Sequence, residues 1–222
     1  MSAVGEAIAR EYFEAHGFLV RQHRKYVVTA RAKTADEEID LLVVNPRAEI
    51  AAVSAPTFGA GQADRGRPLN FVLGAADLKY VARAIVAVKG WYTETFSPAV
   101  LTGAPEILKF VEGGSVKEAA RQISGEGDLK KLLVVPALPA SAELRQKSIE
   151  LLRGKGVDGV LLFRDILLDL IARVETNKNY QKSDVLQTLR LLKNYDLLKE
   201  PQLELFERRR KRKPRMDTDK HR

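Results

Sequence analysis

Between residues 81 and 88 only Arg83 is polar, and the run Ala84-Ile85-Val86-Ala87-Val88 stops abruptly at Lys89. An apolar stretch of this length with no polar alternation reads as a strand at the centre of a sheet, buried on both faces. Such a strand cannot stand alone: it needs further strands beside it and helices above and below.

The rest of the chain supplies them. Residues 3–16 place Ile8, Tyr12 and Phe13 on one side of a helix that Gly17 ends. Residues 18–29 are rich in β-branched and aromatic side chains and read as a strand whose Arg21, His23 and Lys25 share a face. Residues 38–45 form a second strand closed by Pro46. Periodicity is then lost over 46–77, where Gly59, Gly61, Gly66, Gly74, Pro56 and Pro68 mark a loop or irregular hairpin between two core strands, with 48–53 able to extend the sheet. Two helical stretches are expected near 105–112 and 115–123, then a short buried strand at 132–135. A helix from 141 to 153, ended by Gly154 and Gly156, leads into a strand at 157–163. Strand, helix and strand in that order predict a right-handed crossover and a parallel pair. Helices at 165–175 and 183–198 follow, with Ser183 suited to cap the second.

The expected fold class is α/β, a mixed sheet of about five strands flanked by helices over residues 1–175. A helical appendage is expected at 176–206 and a disordered basic tail at 207–222. Length agrees, since 222 residues suffice for one substantial core and a small appended unit.

Composition narrows the chemistry. With no cysteine in the chain, disulfides and thiolate zinc sites are excluded. His16, His23 and His221 are too few and too scattered for a histidine-built centre. A metal, if used, is therefore a hard cation such as Mg²⁺ or Mn²⁺ held by carboxylates and carbonyls. No secretory signal and no apolar stretch of ~18 residues is visible, so no membrane partner is expected and the cytoplasm is the default location. The net charge of +8 is unevenly placed: residues 207–222 hold nine Lys and Arg against three acids, a formal +6. The other 206 residues carry 28 Lys and Arg against 26 acids, or +2.

Three residues stand out against this frame. Glu6 lies in the first helix, Asp40 among the apolar residues of the second strand, and Lys89 at the end of the central one. A charge in such surroundings is costly unless paired or bound to a cation. A carboxylate pair holding Mg²⁺ beside a lysine is a device for phosphodiester hydrolysis: the metal activates water and offsets charge, and the lysine positions the nucleophile. A structural ion pair between Asp40 and Lys89 is the competing reading.

The stretches Gly5-Glu6-Ala7, Gly17-Phe18-Leu19-Val20, Glu38-Ile39-Asp40 and Val88-Lys89 resemble the PD-(D/E)XK, or restriction endonuclease-like, superfamily, nearest to its Holliday-junction resolvase and type IV restriction members. The resemblance covers about residues 4–91 and, more weakly, the continuation to 163. It implies a restriction endonuclease-like sheet and a Mg²⁺- or Mn²⁺-dependent endonuclease or junction resolvase acting on nucleic acid, most naturally DNA. By position, Asp40 becomes the metal-binding aspartate, Lys89 the catalytic lysine and Glu6 the helix carboxylate assisting the metal.

One position departs from the pattern. Ala87 stands where the second metal-binding acid belongs, and a methyl group cannot ligate a cation. Either Glu94 or Glu38 supplies the missing ligand or metal affinity is lost, and the protein is then a catalytically inactive DNA-binding or protein-interaction module. If the rest of the site survives, Ala87→Glu is expected to raise metal-dependent cutting. Trp91 and Tyr92 at the rim either stack on a base or pack against the core.

At the other end, Val185, Leu186, Leu189, Leu192 and Tyr195 form an apolar stripe, either the last helix of a helix-turn-helix unit or a capping helix. Arg208, Arg209, Arg210, Lys211, Arg212 and Lys213 form an unbroken basic run, either a phosphate-binding arm or a solvating tail. With Arg21 and Lys25 these are the nucleic-acid-binding candidates. A homodimer is compatible with this organisation.

Overall fold

The apolar run does form the central strand. β3 (Arg83–Val88) is buried throughout except for half-buried Arg83. It pairs antiparallel with β2 (Leu41–Val44) on one side and parallel with β4 (Leu129–Val135) on the other. Beyond these, β1 (Leu19–Gln22) pairs antiparallel with β2, and β5 (Gly159–Leu162) pairs parallel with β4. The chain is therefore α/β, with a five-stranded mixed sheet in the order β1-β2-β3-β4-β5 flanked by helices. The computed structural model describes residues 3–22, 39–49, 70–89, 95–123 and 127–198. Among them no helix is long and apolar enough to cross a membrane.

Two helical layers explain why β3 shows no alternation. On one face lie α1 (Ala3–Ala15) and α5 (Phe163–Arg173), which pack on each other and on the strands. On the other lie α2 (Pro98–Gly103), a 3₁₀ helix at Pro105–Val111, α3 (Gly113–Gln122) and α4 (Ala142–Gly154). Ile85, Ala87, Leu133, Val135 and Val160 join a cluster with Phe96, Ile107, Phe110 and Leu152 of this second layer. Val86, Val88, Leu132 and Val134, equally buried, alternate toward the first.

The chain divides into two units, Met1–Arg173 and Val174–Arg222. In the second, α6 (Asp184–Asn194) is capped by Ser183, whose Oγ accepts from the Leu186 amide at 3.1 Å.

Some elements differ from expectation. α2 was not anticipated, although Ser97-Pro98 is a helix-start signal: the Ser97 Oγ accepts from the Val100 amide and Pro98 sits where its missing N–H costs nothing. β4 starts at Leu129 rather than 132, because Leu129, Lys130 and Lys131 pair with Arg83, Ala84 and Ile85. Residues 70–77, expected to be irregular, are ordered: the 3₁₀ helix Ala75–Tyr80 leads into β3, and Phe71–Leu73 lies along the outer edge of β5. There the Val160 amide donates to the Phe71 carbonyl at 2.7 Å and the Leu73 amide to the Val160 carbonyl at 2.8 Å.

That covering segment accounts for Gly159. A Cβ at this position would lie 2.9 Å from Cδ1 of Leu73 and 3.1 Å from Cδ2 of Leu132, both nearly fully buried residues. Gly159→Ala is therefore expected to lower stability by about 1–3 kcal/mol, the usual cost of overpacking. The urea midpoint would fall without a change in the denaturant slope.

Candidate functional site

At the carboxyl ends of the parallel strands, side chains from several elements converge. Strand polarity sets the place. β2 runs against β3, so its first residues stand beside the last residues of β3, with Leu41 opposite Val86. Asp40 thus sits one residue before β2, not inside a strand as expected. Its amide donates to the Val86 carbonyl at 3.0 Å, and its Oδ2 accepts from the Val88 amide at 2.5 Å. The carboxylate occupies the place along the β3 edge where a β2 carbonyl would otherwise continue the ladder. Asp40 is only 4% exposed, so this hydrogen bond satisfies an amide that water does not reach easily.

Lys89 follows directly. Its amide donates to the Val134 carbonyl at 2.8 Å, prolonging the ladder to β4, and its side chain is half-buried. Glu6 enters through α1. A methyl group at Gly5 would lie 3.7 Å from Cγ1 of Val88 and 4.0 Å from Cε2 of Phe163, so the start of α1 rests on the end of β3 and the start of α5. Half-buried Glu6 is the acid in the first turn of α1, where a negative charge complements the free amides of the helix. The fold therefore brings Glu6, Asp40 and Lys89 to one end of the sheet. Gln22, opposite Leu41 at the end of β1, and Arg164 in the first turn of α5 stand at the same end. Neither had a motif to mark it; only the strand polarity reveals them.

Ala87 is 0% exposed, in the cluster with Ile39, Leu42, Ile85, Phe96 and Leu133. The side chain two residues before Lys89 thus enters packed hydrocarbon. Among the described residues, no three Asp, Glu or His side chains are gathered closely enough to hold a metal ion. Glu94 and Glu38, the alternative ligands, lie outside the described residues, as do His23, Lys25, Trp91, Tyr92 and the basic run Arg208 to Lys213. The described donors do not fit the Mg²⁺ centre that the resemblance implies. Arg21 is exposed on β1.

In the second unit, the cations of α6 have local partners. The Arg190 Nε donates to the Thr176 carbonyl at 2.9 Å, and the Lys193 Nζ to the Val174 carbonyl at 2.7 Å. Both tie the helix to the segment before it.

A separate cleft of about 510 Å³ opens among α2, the Pro105–Val111 helix and α4, lined by Leu101, Leu108, Val111 and Leu151 with Glu112 and Lys155 at its margin. It shares no residue with the sheet-end cluster. Comparison with known protein families, curated proteins and solved structures returned no match.

The role of Asp40 can be tested by stability alone. Asp40→Ala leaves the Val88 amide without this acceptor in a buried place and is expected to cost about 1–3 kcal/mol. Asp40→Asn keeps an oxygen at that amide and is expected to cost less. Equal losses from the two variants, read from urea midpoints, would deny the carboxylate its role at the strand edge.

Proposed function

We propose that this chain is a nucleic-acid-binding protein on a restriction endonuclease-like frame, in which residues of the hydrolytic constellation serve the fold. The order of a helix bearing Glu6, Asp40 before a strand and Lys89 after the central strand supports the frame. Three positions of the pattern have a structural occupation: Asp40 holds a strand-edge amide, Glu6 stands in the first turn of a helix, and Ala87 fills core. The observation that carries nucleic-acid binding is the charge distribution, with +6 of the net +8 in residues 207–222. A cationic segment attracts phosphate backbones through counterion release and reads little sequence.

The test is binding and cutting measured together on duplex, single-stranded and branched DNA, and on RNA. Binding that weakens steeply with salt, without cleavage in Mg²⁺ or Mn²⁺, is the expected result. Mg²⁺-dependent cutting abolished by Asp40→Ala would restore the hydrolase reading, with Glu94 or Glu38 completing the site. Absence of binding even at low salt would remove nucleic acid as the partner.

A further inference from the structure

Where α1 meets α5, the imidazole of His16 is enclosed, its side chain only 8% exposed. Its Nδ1 lies 2.8 Å from the Tyr12 carbonyl oxygen and its Nε2 lies 2.9 Å from Nη2 of Arg173. A carbonyl only accepts and a guanidinium only donates. The partners therefore assign the proton to Nδ1 and leave Nε2 as the acceptor, which is the neutral ring in a single tautomer. The Tyr12 ring lies against the imidazole, centroids 4.5 Å apart. From α5, Asp169 places Oδ2 3.5 Å from Nε2, but the same oxygen already accepts from Arg173 Nε at 2.6 Å. Asp165 of α5 and Asp77 of the Ala75–Tyr80 helix act on the Tyr12 phenol, which burial keeps protonated far above its ordinary range.

We infer that the seam between α1 and α5 is an acid-sensitive latch operated by His16. A proton added at Nε2 removes the acceptor of Arg173 and turns two donors, both cationic, toward each other. Asp169 cannot take up the new N–H without sharing the oxygen that holds Arg173. Burial, and then the Arg173 charge, outweigh the favourable Tyr12 carbonyl and Asp169, so His16 titrates below its ordinary 6.5. The sign follows from linkage. Below pH 6.5 the open chain binds a proton that the closed seam refuses, so the seam loses stability as pH falls, down to the pKa of the closed form. The consequence extends to the sheet end, because α1 rests its Gly5 on Val88 and Phe163.

The experiment uses the full chain, whose three histidines give a tractable NMR titration. His16 is expected to titrate below 6.5, and amide protection factors in α1 and α5 to fall between pH 7.5 and 5 while those of α4 hold. Each unit by which the His16 pKa is lowered corresponds to about a tenfold change in the opening equilibrium. In His16→Gln, which can still donate to the Tyr12 carbonyl and accept from Arg173 but does not titrate, that acid-dependent loss should vanish. A His16 pKa at or above 6.5, an equal loss of protection in α4, or the same pH profile in His16→Gln would each overturn the latch.

Discussion

Ala87→Glu is expected to destabilise the α/β unit severely rather than restore a metal site. The methyl group is fully enclosed among Ile39, Leu42, Ile85, Phe96 and Leu133. Four further heavy atoms must be accommodated there, and overpacking of that kind costs about 1–3 kcal/mol. The charge costs more. A carboxyl in apolar surroundings has its pKa raised to about 8–9, and against an unfolded value near 4.3 that is on the order of 4 kcal/mol at pH 7. The sum is comparable with the whole stability of an ordinary domain, about 5–15 kcal/mol. Thermal scans should show a fall in Tm of roughly 10 °C or more, or no folded protein at all. The sign of the pH dependence identifies the cause. Because the folded-state pKa of Glu at this position is raised, the deficit relative to the parent is smallest near pH 4 and grows as pH rises toward 8. A variant with parental Tm and new Mg²⁺-dependent cutting would place this position at an open site and return the hydrolase reading.

That expected result reverses what the sequence alone implied for the same substitution, and the reason lies in what a short motif contains. The spacing of Ala87 and Lys89 shows that the two share a strand face. It carries no information on what covers that face. That face lies in a buried cluster that includes Phe96, whose amide donates to the Ala137 carbonyl at 2.9 Å, and Leu133 and Val135 of the adjoining strand. Leu133 and Val135 come from far along the chain, and no local pattern announces their meeting with residues 87 and 96.

The elements that were legible are those whose signals are local. The unbroken apolar run gave β3, Ser183 gave the start of α6, and the strand-helix-strand order gave the parallel pairing of β4 and β5. Ser97-Pro98 is an equally local signal for the start of α2. The β5 edge, by contrast, is covered by Phe71–Leu73 from before β3, a pairing across almost ninety residues that only Gly159, with no room for a Cβ, records. Asp40 lies between these cases. Its burial was expected from its apolar neighbours. Its partner, the Val88 amide, depends on where β2 begins, and that is set by pairing.

Removing residues 207–222 is expected to abolish most nucleic-acid affinity at low salt while leaving the folded body intact. The segment contains nine Lys and Arg, and its loss lowers the formal net charge from +8 to +2. Long-range attraction to a polyanion should fall with it. If about six phosphates are contacted, the slope of log affinity against log salt should flatten by about 5 on duplex DNA. The same number of contacts implies a loss of roughly 10²-fold or more in affinity at 50 mM salt, shrinking as salt rises. Thermal unfolding should be unchanged, because the basic run has no apolar periodicity with which to pack. Replacing Arg208 to Lys213 by Gln at constant length separates charge from chain length and should reproduce most of the loss. Preference for one DNA structure over another that survives truncation would belong to the body, where Lys89 and Arg164 at the sheet end and Arg21 on β1 are the first residues to replace. An unchanged salt slope after truncation would locate the phosphate contacts outside the tail and leave residues 207–222 without a part in binding.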